Sequence, residues 1–110
     1  MARVDEYREI ICKFLQDFAE DDPEAKLIFD TQRDRYLVMH MGWRKEDRIY
    51  GCAMQIDLIE EQVWLQHNST EIYIDRELIE RGIPKTAIIF GFRSPSIREY
   101  LAKLSHKNVQ

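Results

Sequence analysis

The sequence predicts an α+β fold: an antiparallel β-meander of about four strands, covered by an N-terminal helix and followed by shorter C-terminal helices. Three observations predict it. Apolar residues recur at steps of three and four from Val4 to Phe18. From Tyr36 to Asn68 the pattern switches to alternation between short polar turns, and both tryptophans lie there. After Thr70 the chain carries helix caps and breakers. A length of 110 residues fits one domain, spanning 1–110, with enough chain to bury a core.

The first helix is expected from about Ala2 to Ala19. Val4, Tyr7, Ile11, Phe14 and Phe18 form its apolar stripe, and Ile10 and Leu15 widen it. Pro23 cannot continue the helix, and Asp22 before it is pushed out of the helical region. Leu27 to Phe29 reads as an edge strand. Tyr36 to Trp43 is a strand with Tyr36, Val38 and His40 on one face and Leu37, Met39, Met41 and Trp43 on the other. Arg44 to Asp47 is a charged hairpin loop. In the strand Arg48 to Leu58, strict alternation sets Tyr50, Cys52, Met54, Ile56 and Leu58 against Ile49, Gly51, Ala53, Gln55 and Asp57. Gly51 inside that strand suggests a bulge or close packing under a tryptophan. Glu60 to Gln62 turns the chain, and Val63, Leu65 and His67 then oppose Trp64 and Gln66. Short connections between consecutive strands imply an antiparallel meander.

Asp75 is the expected N-cap of a helix about two turns long, with Gly82 at its C′ position and Pro84 as a stop. Ala87 to Phe90 is apolar, either a short buried strand or a turn of helix, and Gly91 breaks it. Ser94 caps a last helix with Pro95 at its first position, and Ile97, Tyr100, Leu101 and Leu104 form its apolar face.

Composition excludes several classes. With 45% hydrophobic and 33% charged residues, the chain is ordinary globular protein. No apolar run approaches the roughly 18 residues of a membrane span, and the charged N-terminal stretch is unlike a signal peptide, so a cytoplasmic protein is expected. A net charge of −4 argues against a domain built mainly to grip phosphate backbone. Arg93, Arg98, Lys103 and Lys107 still concentrate positive charge near the C-terminus, where a weak DNA contact would fall. Cys12 and Cys52 form no CxxC unit and read as reduced structural thiols; neither a metal nor another cofactor is expected.

No phosphate loop, dinucleotide fingerprint, zinc-protease motif or nucleophile elbow is present, so no enzyme is expected. His40 and His67 both sit in the meander and could share a sheet face, an arrangement that would permit a metal or acid–base pair but is rare among scattered histidines. Asp57 with Glu71 resembles the acidic half of a nuclease site, but no lysine follows Glu71; Asp57 reads instead as a strand-end residue capping a turn. Trp43 and Trp64 are expected in the core, and Arg33-Asp34 in a turn.

The series Asp30-x-x-Arg33-Asp34-x-Tyr36, Gly42-Trp43, Arg48-x-x-Gly51, Ile56-Asp57, Val63-Trp64-Leu65-Gln66, Thr70-Glu71, Gly82-Ile83-Pro84-Lys85, Ile88-Ile89-Phe90-Gly91-Phe92 and Pro95 resembles the XisI family, cyanobacterial fdxN element excision controlling factors. The match runs in order from about Tyr7 to Arg98. Gln55 stands where the family usually has histidine, and Glu61-Gln62 where it usually has Asp-Gly. The resemblance implies a non-enzymatic accessory factor in excision of a DNA element, working with a site-specific recombinase and a XisH-like partner by protein contacts. The alternatives are a DNA-binding or nuclease-associated protein, and an antitoxin-like partner of a XisH-like nuclease-fold protein. A homodimer is also expected, because so small a sheet leaves apolar surface to cover.

Overall fold

The computed structural model describes residues 2–108. Helix α1 (Ala2–Ala19) is followed by β1 (Ala25–Asp30), β2 (Arg35–Arg44), β3 (Asp47–Ile59) and β4 (Gln62–Asn68). Then come α2 (Ile74–Glu80), a 3-10 turn (Lys85–Ala87), β5 (Ile88–Phe90) and α3 (Pro95–Asn108). The strands lie side by side in chain order. The α+β class and the meander hold. The expected count of about four strands becomes five, because Ile88–Phe90 pairs parallel to β4 through the α2 crossover. Of the two readings left open for Ala87 to Phe90, the short strand is the one formed, preceded by the 3-10 turn.

One face of the sheet is buried. Tyr7, Ile11, Phe14 and Leu15 of α1 pack there with Ile74 and Leu78 of α2. Beneath them lie Tyr36 and Val38 of β2, Met54, Ile56 and Leu58 of β3, and Val63 and Leu65 of β4. Leu15 is fully buried, whereas Phe18 is only partly so, which moves the centre of the helix stripe away from the predicted line. Truncating a fully buried leucine of this kind costs about 3 kcal/mol.

The alternation predicted for β3 fails at one residue. Val38 pairs with Met54 but Met39 pairs with Cys52, so Ala53 is an extra residue, a β-bulge. Met54, Ile56 and Leu58 therefore share the core face with Val38 and Tyr36. Tyr50 and Cys52 share the opposite face with Met41 and Met39. A second skip in β4 leaves Gln66 extra: Gln55 pairs with His67, and Ile56 with Leu65. His67 consequently joins Trp64 on the outer face, while His40, paired with Gly51, stays on the inner one. The two histidines do not share a face. Gly51 is neither the bulge nor a close-packing site, since a Cβ there would meet nothing within 4 Å.

Local chemistry fixes the helix ends. Asp75 is not the N-cap of α2. Tyr73 holds that place without a side-chain hydrogen bond, and Asp75 falls in the first turn, where its charge suits the helix dipole. At the other end Gly82 adopts φ 115°, its N–H bonds to the Ile79 carbonyl, and the Ile83 N–H bonds to the Leu78 carbonyl. These two bonds make a Schellman cap. The Ser94 Oγ accepts the Ile97 N–H at 3.3 Å, so α3 begins as predicted.

A polar clamp ties α1 to the β1–β2 turn. The Arg8 Nε and Nη2 donate to the two Asp34 carboxylate oxygens at 2.8 and 3.1 Å, and the Tyr36 hydroxyl donates to Asp34 Oδ1 at 2.6 Å. Arg8 also pairs with Asp5 at 2.7 Å. Asp34 itself sits at φ 54°, which Asp tolerates better than most residues. Arg8's hydrogen bonds, helped by that from Tyr36, hold the Asp34 carboxyl below the ordinary carboxylate range. A carboxyl lowered by folding stabilises fully above its ordinary value and loses that contribution as pH falls through the lowered one.

Two predictions follow from these turns. Asp34→Asn should lose about 2 kcal/mol at neutral pH. A urea-denaturation series should show the parent's Asp34 contribution draining away below about pH 4 and that step missing from the variant. The β3–β4 turn places both Glu60 (φ 50°) and Glu61 (φ 64°) in the left-handed region. Glu61→Gly should relieve about 1 kcal/mol of that cost and raise the melting temperature by about 4 °C in a calorimetric scan.

Candidate functional site

The outer face of the sheet carries much of the motif-bearing chemistry. Asp57 is only 6% exposed, in the middle of the β3–β4 pairing rather than at a strand end. Its carboxylate accepts from Gln55 Nε2 at 3.2 and 3.3 Å and from Gln66 Nε2 at 3.2 Å. The bulge at Gln66 lies in the stretch that brings this amide to it. Trp64 stands beside Asp57 across the ladder, with its indole N–H buried and without a partner. The Arg98 guanidinium lies 5.1 Å from the Trp64 ring centre. Gly91 packs against the same group: a Cβ there would collide with the Gln66 amide and sit 3.1 Å from the Trp64 ring. Asp57, Trp64, Gln66 and Gly91 thus form one packed unit, in which any side chain at position 91 would have to push the Gln66 amide aside. Glu71 is exposed on the loop after β4 and takes no part. That loop is held by its own hydrogen bonds, from Thr70 to Asn68 Oδ1 and from Asn68 Nδ2 to the Ile72 carbonyl.

The far end of the outer face is aromatic and open. Trp43 is 59% exposed and Tyr50 64%, so the expectation of a core Trp43 is corrected. Trp64 is half-buried. The Arg48 guanidinium lies 5.1 Å from the Trp43 ring centre and 5.7 Å from that of Tyr50, linking the two rings. Arg48 also reaches the Gly42 carbonyl at 3.5 Å.

On the inner side, beyond the end of α1, a cavity of about 330 Å³ is lined by Phe18, Val38, His40, Gly51, Ala53 and Thr70, among others. His40 Nε2 lies 3.0 Å from Glu24 Oε1 and 3.9 Å from Asp22 Oδ2 at its rim. Gly42 leaves the space that the Glu24 carboxylate fills. Among the described residues this is the one group of histidine and carboxylates whose donor atoms converge, within 4.8 Å. Its residue types suit a borderline divalent cation, but in the structure the imidazole is engaged by Glu24. Cys12 and Cys52 are both half-buried and free, and burial raises both thiols above their ordinary values, which keeps them protonated.

Three of the four residues of the predicted basic segment have aromatic or acidic neighbours. Arg93 stacks on Phe90 at 4.3 Å and Arg98 on Trp64, while Lys103 pairs with Glu99 at 3.5 Å. The side chain of Lys107 lies outside the described residues. Arg33 pairs with Asp30 at 3.2 Å in the turn, as its sequence suggested. The contribution of Arg8 to that region was not legible, because nothing local marks a helix arginine as the partner of a turn 26 residues away.

Taken together, these features define a small α+β protein whose distinctive exposed chemistry is aromatic and apolar. The chain belongs to the XisI protein family, whose model matches residues 1–102. It is similar to the crystal structure of a XisI-like protein from Anabaena variabilis, with a TM-score of 0.82 and 35% identity, over 88% of this chain and 94% of that one. It is also similar to the fdxN element excision controlling factor XisI from Anabaena variabilis, with a TM-score of 0.73 and 31% identity, over 87% of this chain and 98% of that one. No curated protein matches the chain. Among the described residues no helix is long and apolar enough to cross a membrane.

The packing of Gly91 yields a direct expectation. Gly91→Ala should displace Gln66 from Asp57 and cost about 1–3 kcal/mol by overpacking. Urea denaturation followed by tryptophan fluorescence measures the loss, and a changed native spectrum should report the disturbed Trp64.

Proposed function

We propose that this protein is an accessory factor that controls excision of a DNA element, acting by contacts with a XisH-like protein and a site-specific recombinase rather than by chemistry of its own. Family membership and the likeness to a protein named as an excision controlling factor support the excision role. The observation that carries the contact mechanism is the free edge of the sheet. Strand β1 pairs only with β2, and Lys26, Leu27 and Ile28 along it are exposed. A strand edge with apolar side chains is suited to accept a strand from a partner. Arg8, Asp34 and Tyr36, whose protonation is shifted, are engaged with one another in the clamp between α1 and the sheet.

Co-expression with a XisH-like protein should give a complex that co-elutes in size-exclusion chromatography at micromolar concentration. Leu27→Asp with Ile28→Lys should abolish it while leaving the far-UV circular dichroism unchanged. Separate elution of the parent proteins overturns the reading. Direct DNA contact through Arg93, Arg98, Lys103 and Lys107 is the weaker reading, because the first three already have aromatic or acidic neighbours. It requires a low-salt gel shift that weakens as salt rises. An antitoxin-like role would appear as toxicity of the XisH-like protein alone, relieved by this chain.

A further inference from the structure

Two surfaces lack a partner among the described residues. The first is the outer face of the sheet, because α1 and α2 both pack on the other side. The bulge at Ala53 leaves Leu37, Met39, Met41 and Tyr50 on this outer face with Trp43, and Ile28 of β1 pairs alongside Leu37. Ile28, Trp43 and Tyr50 are exposed, and the others are half-buried. The second is helix α3. Of its described side chains from Pro95 to Leu104, only Arg98 is not exposed. Ile97, Tyr100, Leu101 and Leu104 make an apolar stripe at helical spacing, facing nothing. The molecule is elongated, 54 × 31 × 23 Å with a radius of gyration of 15.4 Å, against about 13 Å for a compact chain of this size.

Neither surface suits water. A helix of 14 residues is marginal in isolation and gains its stability from packing an apolar face. An exposed apolar sheet face of this extent marks an interaction site. We infer that the two surfaces cover each other between copies: the protein is a two-fold homodimer in which α3 of each chain lies on the outer sheet face of the other.

Three features favour a second copy as the occupant. The chain supplies both halves of the contact, an amphipathic helix and an apolar face, so a two-fold axis satisfies both at once. The helix cannot cover its own face, since it leaves the sheet at Trp64, held by Arg98, and then runs clear. Trp43, Arg48 and Tyr50, already stacked on one another, are the residue types that anchor such interfaces.

Light scattering coupled to size-exclusion chromatography tests this on the full chain. At micromolar concentration the parent should run at twice its 13.2 kDa. Leu101→Glu with Leu104→Glu, and separately Tyr50→Glu, should each give a monomer with unchanged far-UV circular dichroism, weakening association at least 100-fold. All three positions are exposed, so these variants should fold. In a Trp64→Phe background, Trp43 emission should shift to the red when α3 carries the two glutamates. A monomeric parent, a dimer that survives either variant, or unchanged Trp43 emission overturns the proposal. A parent that stays monomeric and has its Trp43 buried only by a XisH-like protein overturns it as well, and would leave the accessory reading standing.

Discussion

One inserted residue decides which side of this sheet is wet. Ala53 has no partner across β2, and the alternation of β3 reverses around it. Without that extra residue, Tyr50 and Cys52 would line up with Met54 and Ile56 beneath α1, and the opposite face would carry Gly51 and Ala53. With it, the core side receives a continuous run of aliphatic groups near α1 and α2, while the methionine and aromatic side chains of the hairpin end face outward. Gln66 repeats the device in β4 and brings its amide to Asp57. Strand register is a strong constraint because a slip of one residue inverts every side chain. Here two local insertions use that property to build a core on one half of the sheet and an aromatic surface on the other.

This explains how much was legible in the sequence. Helix α1, the three long strands, the Gly82 cap and the Ser94–Pro95 start were readable because each rests on a local signal: a period, a left-handed position, a hydroxyl before a proline. The faces of β3 and β4 were not, since a bulge leaves no composition mark. Gly51 attracted the assignment that belonged to Ala53. The fifth strand stayed open between a short buried strand and a turn of helix because its three residues pair in parallel through a crossover, a non-local arrangement. Trp43 illustrates a different failure. Burial statistics for tryptophan describe averages, and a tryptophan at an open hairpin end stacked on Arg48 departs from them for a local reason.

The candidate site was partly legible in the same sense. The motif residues Asp57, Trp64, Gln66 and Gly91 are far apart in sequence, yet they assemble into one unit in which glycine at the edge leaves room for the Gln66 amide. Gln55 fits that unit, since its amide donates to the same carboxylate. Asp34 and Tyr36 do another task, anchoring α1. The motif therefore divides between a scaffold clamp on one side of the sheet and a packed polar unit on the other.

The spatial order of the strands equals their order in the chain. Most pairings are hairpins closed by turns of two to four residues, so they form from neighbours with little loop-closure entropy. A nascent chain can thus lay down α1 and then add strands one at a time as it leaves the ribosome. Only β5 must wait, since its parallel pairing needs α2 to fold first. Assembly of the segment after α2, and with it any surface that α3 provides, then follows that of the hairpin strands.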